Sequence, residues 1–235
     1  MYASMQIVLN TQKGGAGKTT LAVHLAVWLA ERGRDVTLLD ADNQGAAARW
    51  VKQAEPKVRV VASQNTEQVG RIADICQKHN TVLVSDTPPG LGGAVRELLK
   101  RADVIAVPLV PSAIDLVATQ QGLDLIDKLN QANGGVNLYR RPQRLRVVIN
   151  RRESGLRLGF AVERKARQLS LPANGLVCDH VLAKRGALAK AYAKGSVVWR
   201  MTKSDSGAKA AAKDLDKLFA ELLQPVFASQ PAKAA

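Results

Sequence analysis

Asn10-Thr11-Gln12-Lys13-Gly14-Gly15-Ala16-Gly17-Lys18-Thr19-Thr20 is the stretch that most limits what this chain can fold into. It follows the apolar run Ile7-Val8-Leu9 and leads into a helical pattern that begins near Lys18. Strand, glycine loop and helix in that order make a phosphate cradle: glycines let successive backbone N–H groups turn inward, and the helix N-terminus adds partial positive charge. In this pattern Lys18 reaches the β/γ-phosphates and Thr19 a magnesium ion. The usual motif has glycine at the position of Gln12, so a strict search misses the loop. A glycine-rich turn with incidental lysines is the alternative, and the flanking strand and helix argue against it. Lys13 is a second cation that an ordinary cradle does not need.

Two further apolar runs end in carboxylates. Val36-Thr37-Leu38-Leu39 closes on Asp40-Ala41-Asp42-Asn43-Gln44, and Thr81-Val82-Leu83-Val84-Ser85 on Asp86-Thr87-Pro88-Pro89-Gly90. Carboxylates at the C-terminal ends of parallel strands converge on the ligand crevice, where they can hold the waters of a magnesium ion. One such Asp alone is more often a helix cap. Asp40, Asp42 and Asp86 together with a phosphate loop make capping alone improbable.

Strand and helix patterns alternate from end to end. Helices are expected from Lys18 to a C-cap at Gly33 and near 44–53, 66–78 and 91–100, with a long one from Ser112 to about Asn130. Strands are expected at 36–40, 58–61, 81–86, 104–107 and 145–150, with a surface loop over 131–142. Near-continuous apolar strands between helices mean an α/β fold: a doubly wound, mainly parallel sheet with helices on both faces. Residues 1–224 read as a single domain and 225–235 as a disordered tail. No run approaches the ~20 apolar residues that span a bilayer, and Met1 to Met5 lead into the first strand without a signal peptide. The two cysteines, Cys76 and Cys178, are far apart, which fits a reducing cytoplasm and argues against a metal or iron–sulfur site. His24, His79 and His180 sit in no recognisable motif.

The form Lys13-Gly14-Gly15-x-x-Lys18-Thr19, with Gly17 before its second lysine, resembles the deviant Walker A loop of the ParA/MinD ATPases. The resemblance covers about residues 5–223 and implies ATP and Mg²⁺ as cofactors, with Gly14, Gly15, Ala16, Gly17, Lys18, Thr19 and Thr20 around the phosphates. It implies an ATP-dependent homodimer in which Lys13 crosses to the partner's nucleotide, Lys18 acts in cis, and Asp42 positions or activates the attacking water. Asp86 would be the Walker B acid, Asp40 a second outer-shell magnesium partner, and Asn150 a contact to adenine or, equally, a turn former at its strand end. The family usually has proline where this chain has Asn43, a departure that bears on the turn after Asp42 and on the hydrolysis rate. Val107 to Asp115 matches a proline-bearing family loop near the nucleotide and dimer interface. Ser112 as a helix N-cap boxed with Asp115 explains the same residues as well.

Charge is uneven. Residues 1–135 balance at +1 and residues 136–235 at +13. Such a basic C-terminal part reads as a surface for polyanions, and 4% aromatic content argues against base stacking. Sequence-independent phosphate contacts to duplex DNA are expected from Arg152, Lys184, Arg185, Lys190, Arg200 and Lys203. The resemblance implies the same for nucleoid DNA, with hydrolysis stimulated by a ParB-like or cargo-adaptor protein. A MinD-like membrane ATPase is the first rival. Its signature, a basic amphipathic C-terminal helix, is countered by the −1 balance over residues 204–223. A metabolic ATP-dependent ligase on the same fold is the second.

Overall fold

The computed structural model describes residues 4–132, 134, 137–139, 141, 143–153, 157–172 and 175–228. Its centre is a seven-stranded sheet, parallel throughout, formed by β1 (Met5–Leu9), β2 (Val36–Asp40), β3 (Arg59–Ala62), β4 (Val82–Asp86), β5 (Val104–Leu109), β6 (Arg144–Ile149) and β7 (Gly175–Val177). The spatial order is β3-β2-β4-β1-β5-β6-β7. The chain leaves β1 toward one edge and returns for β5 on the other side. That reversal beside the C-terminal end of β1 is where open α/β sheets hold ligands.

Alternation along the strands explains how both faces are covered. Met5, Ile7 and Leu9 point into one core with α1 (Lys18–Glu31), α2 (Ala46–Ala54), α7 (Gly186–Ala193) and α8 (Ser206–Ala228). Val8 points into the other, with α3 (Thr66–Lys78), α4 (Gly93–Arg101), α5 (Ala113–Ala132) and α6 (Arg157–Ala166). Helix ends follow local chemistry. Gly33, at φ 75°, closes α1 through Gly33 N to Ala30 O at 3.0 Å and Arg34 N to Leu29 O at 3.1 Å. Asn65 caps α3 by accepting from Gln68 N at 2.9 Å.

Some boundaries differ from those the pattern predicts. β5 runs on through Pro108 to Leu109. Ala106 O accepts from Asn10 N, so by strand alternation the nitrogen of Pro108 faces the same side, where the pairing of β1 has already ended at Leu9. The missing N–H therefore costs no ladder bond. α6 and β7 have no forerunner in the sequence pattern. α8 continues through Ala228, into the stretch expected as tail, while 229–235 lie outside the described residues.

Leu215, Leu218, Phe219, Leu222 and Leu223, the apolar stripe of α8, are each at most 2% exposed. At ~1.5–3 kcal/mol per buried side chain, the stripe contributes on the order of 10 kcal/mol, comparable to the net stability of a domain. The helix is an integral layer of the fold. No helix among the described residues is long and apolar enough to cross a membrane.

His24 on α1 is fully buried between Trp50 and Trp199, with ring centroids at 5.3 and 5.5 Å. Its Nδ1 lies 2.7 Å from Thr20 O and must donate, so Nε2 accepts from Val198 N at 3.3 Å. Burial holds the imidazole neutral and lowers its pKa to about 4, against the opposing hydrogen bond to Thr20. The folded pKa lies below the unfolded one, so the stabilisation is complete above about pH 6.5 and is lost as pH falls toward 4. Urea titrations at pH 7 and at low pH should show the wild type losing about 3 kcal/mol more than His24→Gln across that window.

Candidate nucleotide site

β1 ends at Leu9, and the loop that follows curls over the start of α1. Gly17 stands at φ 92°, and a Cβ there would collide with the side-chain amide of Asn150, so two independent constraints require glycine. The loop is tied down from the end of β6. Asn150 Nδ2 donates to Ala16 O at 2.7 Å, and Arg151 Nη1 donates to Gly15 O at 2.7 Å. Asn150 Oδ1 accepts from Arg151 N at 2.8 Å. Arg151 itself sits at φ 58°, a left-handed conformation that costs an arginine on the order of 1 kcal/mol. Asn150, expected near adenine or as a turn former, is here an anchor of the loop; the contribution of Arg151 had no sequence signal beyond its place after a strand end.

Lys18 is 7% exposed, with Nζ directed back to Lys13 O at 3.5 Å. Burial lowers its pKa, opposed by the charges of Asp86 and Asp42. Thr19 donates to Asp86 Oδ2 at 2.7 Å, while Asp86 Oδ1 is buried with no hydrogen-bond partner. Desolvation lifts Asp86 to about 7, with Asp40 and Asp42 adding to the rise and the Thr19 bond and Lys18 opposing it.

Asp40 is level with Asp86 across the β2–β4 pair. Its oxygens accept from Asp42 N at 3.1 Å and Ala48 N at 2.8 Å, which hold the following loop and α2 in place. Asp42 closes its own turn, accepting from Gln44 N on the side chain and from Gly45 N on the backbone, both at 3.0 Å. Asn43 fills the second position of that turn, where proline is also favoured, and the turn closes without it.

Lys13 faces away from its own cradle. Its Nζ pairs with Asp115 Oδ1 at 2.9 Å, and the side chain remains 40% exposed. Asp115 is on the first turn of α5, where its N–H donates to Ser112 Oγ at 3.1 Å, so Ser112 caps the helix as expected; the Asp115 carboxylate accepts from the Ser112 hydroxyl, while Ser112 N donates to Val110 O. Burial would raise the Asp115 carboxyl, but the Ser112 hydroxyl and Lys13 outweigh it and lower its pKa. Gly14, Gly15, Gly17, Lys18, Thr19 and Thr20 line a cleft of about 570 Å³ together with Asp42, Trp50, Leu188 and Tyr192, while Ala16 of the loop is buried outside it. That volume suits a small-molecule ligand.

These residues fit a magnesium nucleotide. Among the described residues no cluster of His, Cys, Asp or Glu could hold a metal alone, so an ion here needs phosphate oxygens as well. The orphaned Asp86 Oδ1 and the Thr19 hydroxyl beside it supply what a magnesium shell requires. Fold and site thus define a P-loop nucleotide-binding protein of the deviant Walker A class.

Comparison with known proteins agrees. The CobQ/CobB/MinD/ParA nucleotide binding domain matches residues 7–198, and the chain belongs to this family. It is a member of the ParA/MinD group of deviant Walker A ATPases. The chain is 28% identical over 216 residues to maintenance of carboxysome distribution protein A of Halothiobacillus neapolitanus, covering 90% of this chain and 93% of that one. Its fold superposes on apo McdA of Cyanothece with a TM-score of 0.71 at 14% identity, over 95% of this chain and 99% of the other. For MinD of Pyrococcus horikoshii complexed with Mg-ADP the TM-score is 0.63 at 16% identity, over 98% and 100%.

The six cations expected at DNA are not gathered into one free patch. Arg152 pairs with Glu163 at 3.4 Å, Lys184 with Glu153 at 2.6 Å, Arg185 with Asp214 at 2.8 Å and Lys190 with Asp205 at 2.9 Å. Arg200 bridges Glu31 at 2.6 Å and Glu55 at 2.8 Å, fastening the turn after α7 to α1 and α2. Lys203 alone of the six is exposed with no partner among the described residues.

The anchoring of the loop is testable at Asn150. Asn150→Ala removes both bonds and should weaken ATP binding about tenfold, roughly the worth of one or two hydrogen bonds. Asn150→Asp, which turns an acceptor toward Ala16 O, should weaken it further. Fluorescent-nucleotide titration measures both, and equal affinity in all three proteins would contradict the anchoring role.

Proposed function

We propose that this chain is a ParA-type ATPase that dimerises on ATP, binds duplex DNA without sequence preference, and hydrolyses ATP to position a cargo on the nucleoid. The observation that carries the proposal is Lys13. Its carbonyl faces Lys18, but its ammonium is turned away from its own cradle, and among the described residues the side chain is held by one part-exposed ion pair, to Asp115. Exposed pairs of this kind contribute about 0–1 kcal/mol, so a phosphate-rich partner site can draw the lysine away.

In the assembled dimer the backbone N–H groups of the loop and Lys18 hold the phosphates. Thr19 and Asp86 would hold a magnesium ion, which would neutralise phosphate charge. Asp42 positions the attacking water, and Asp40 keeps Asp42 and α2 fixed. Lys13 enters from the partner and stabilises charge that develops as the γ-phosphoryl departs, so hydrolysis is tied to dimerisation. A cargo-bound adaptor sets the timing. The +13 balance of residues 136–235 supports a polyanionic scaffold. The relative named for carboxysome distribution supports a protein assembly as the cargo class.

A MinD-like membrane cycle needs a C-terminal amphipathic helix available to lipid, and the apolar stripe of α8 is spent on the core. Fluorescence anisotropy with a non-specific duplex should show binding with ATP that is at least tenfold weaker with ADP or without nucleotide. Binding should fall steeply with salt and be lost in Lys13→Ala. Binding independent of nucleotide would contradict the proposal, as would ATP-dependent flotation with liposomes.

A further inference from the structure

Counted along the chain, residues 204–223 are slightly acidic, with three lysines against four carboxylates. Folding changes that account. Asp205 is taken by Lys190 at 2.9 Å, Asp214 by Arg185 at 2.8 Å and Asp216 by Arg32 at 2.7 Å. Glu221 accepts from Asp179 N at 2.6 Å, from His180 N at 3.0 Å and from the His180 ring at 2.6 Å. Every carboxylate in this segment is thus engaged by groups from outside α8.

The lysines are left over. Lys209, Lys213 and Lys217 are all exposed, and none has a partner among the described residues. A spacing of four residues puts them in one row about 6 Å apart along the helix axis. The buried stripe of α8 lies on the opposite side, and beside the lysines the outward face carries Ser206, Ala210, Ala220 and Asp216, whose exposed carboxylate is paired to Arg32. The small neighbours among these let a rigid polyanion approach closely. Lys203, also exposed and unpaired among the described residues, stands just before the helix.

We infer that this ridge, Lys209, Lys213 and Lys217 on α8, is the surface through which the protein grips the phosphate backbone of duplex DNA, an inference that rests on the function proposed above. Arg185 and Arg200, also expected at DNA, act instead as struts of the fold. A row of ammonium groups without aromatic or amide side chains among them can neutralise phosphates but cannot read base edges, which gives sequence-independent binding. An anionic membrane offers the same charge, but α8 has no free apolar face with which to enter it.

The test uses the full chain with a slowly hydrolysed ATP analogue and a mixed-sequence duplex between about 50 and 200 mM salt. Lys209, Lys213 and Lys217 are changed together to Gln. The expected result is at least a tenfold loss of affinity, with the slope of log K against log salt reduced by about 2 to 3, as for three lost phosphate contacts. ATP-dependent dimer mass and basal ATPase rate should match the wild type, which reports an intact fold. The paired change Arg185→Gln with Asp214→Asn, which leaves no lone charge, should keep the wild-type slope.

An unchanged slope in the triple variant, with the wild type binding normally, would overturn the ridge while leaving the proposed function standing. A loss confined to the Arg185/Asp214 variant would do the same. A wild type that binds no duplex in any nucleotide state would end both. ATP-dependent flotation of the wild type with anionic vesicles, lost in the triple variant, would reassign the ridge to lipid.

Discussion

The level at which three neighbouring strands end is the constraint on which the rest of this structure depends. Leu9 pairs with Asp86 and Asp40 pairs with Asp86, so the last residue of β1 and two carboxylates lie in one row across the sheet. The phosphate loop departs from that row, Thr19 returns to it through its bond to Asp86, and Asp42 lies just beyond it. A shift of one residue in either pairing would turn the carboxylates to the other face of the sheet. The buried strands, whose cores on both faces fix the register, therefore place the chemistry before any ligand arrives.

Electrostatics divides the same way between building and function. Lys18 and Asp86 are buried charges whose ordinary ionisation is disfavoured, a pattern common where a site waits for a charged ligand. Most of the basic residues that look functional by position are paired with carboxylates of the same chain, and Arg200 joins the turn after α7 to Glu31 and Glu55. What remains for a large anionic partner are cations that the fold has not used.

Much of this was legible in the sequence because the signals are local. The cradle needs glycines at fixed offsets. Strand runs ending in Asp40 and Asp86 announce a parallel sheet, and Ser112 with Asp115 announces a helix start. Pro108 misled the strand boundary, since only the early end of β1 makes a proline tolerable there. Asn150 and Arg151 as loop anchors depend on β6 lying two strands from β1, a contact that no local pattern encodes. The charge balance of α8 pointed correctly to packing on the domain, but not to which charges stay free: Arg32, Arg185 and Lys190 are distant in sequence or on another element, and pairing across elements cannot be counted from a segment. For Asn43, the departure from the family's proline proved structurally mild because Asp42 supplies the turn's acceptors itself.

We propose that nucleotide assembles two copies of the chain through Lys13. The most direct test is particle mass in solution, by light scattering on a sizing column, for the wild type and Lys13→Ala with a slowly hydrolysed ATP analogue and with ADP. The wild type should show twice the 25.2 kDa chain mass with the analogue and the single-chain mass with ADP, and the variant the single-chain mass in both. One mass in every state, or a Lys13→Ala dimer as stable as the wild type's, would contradict it.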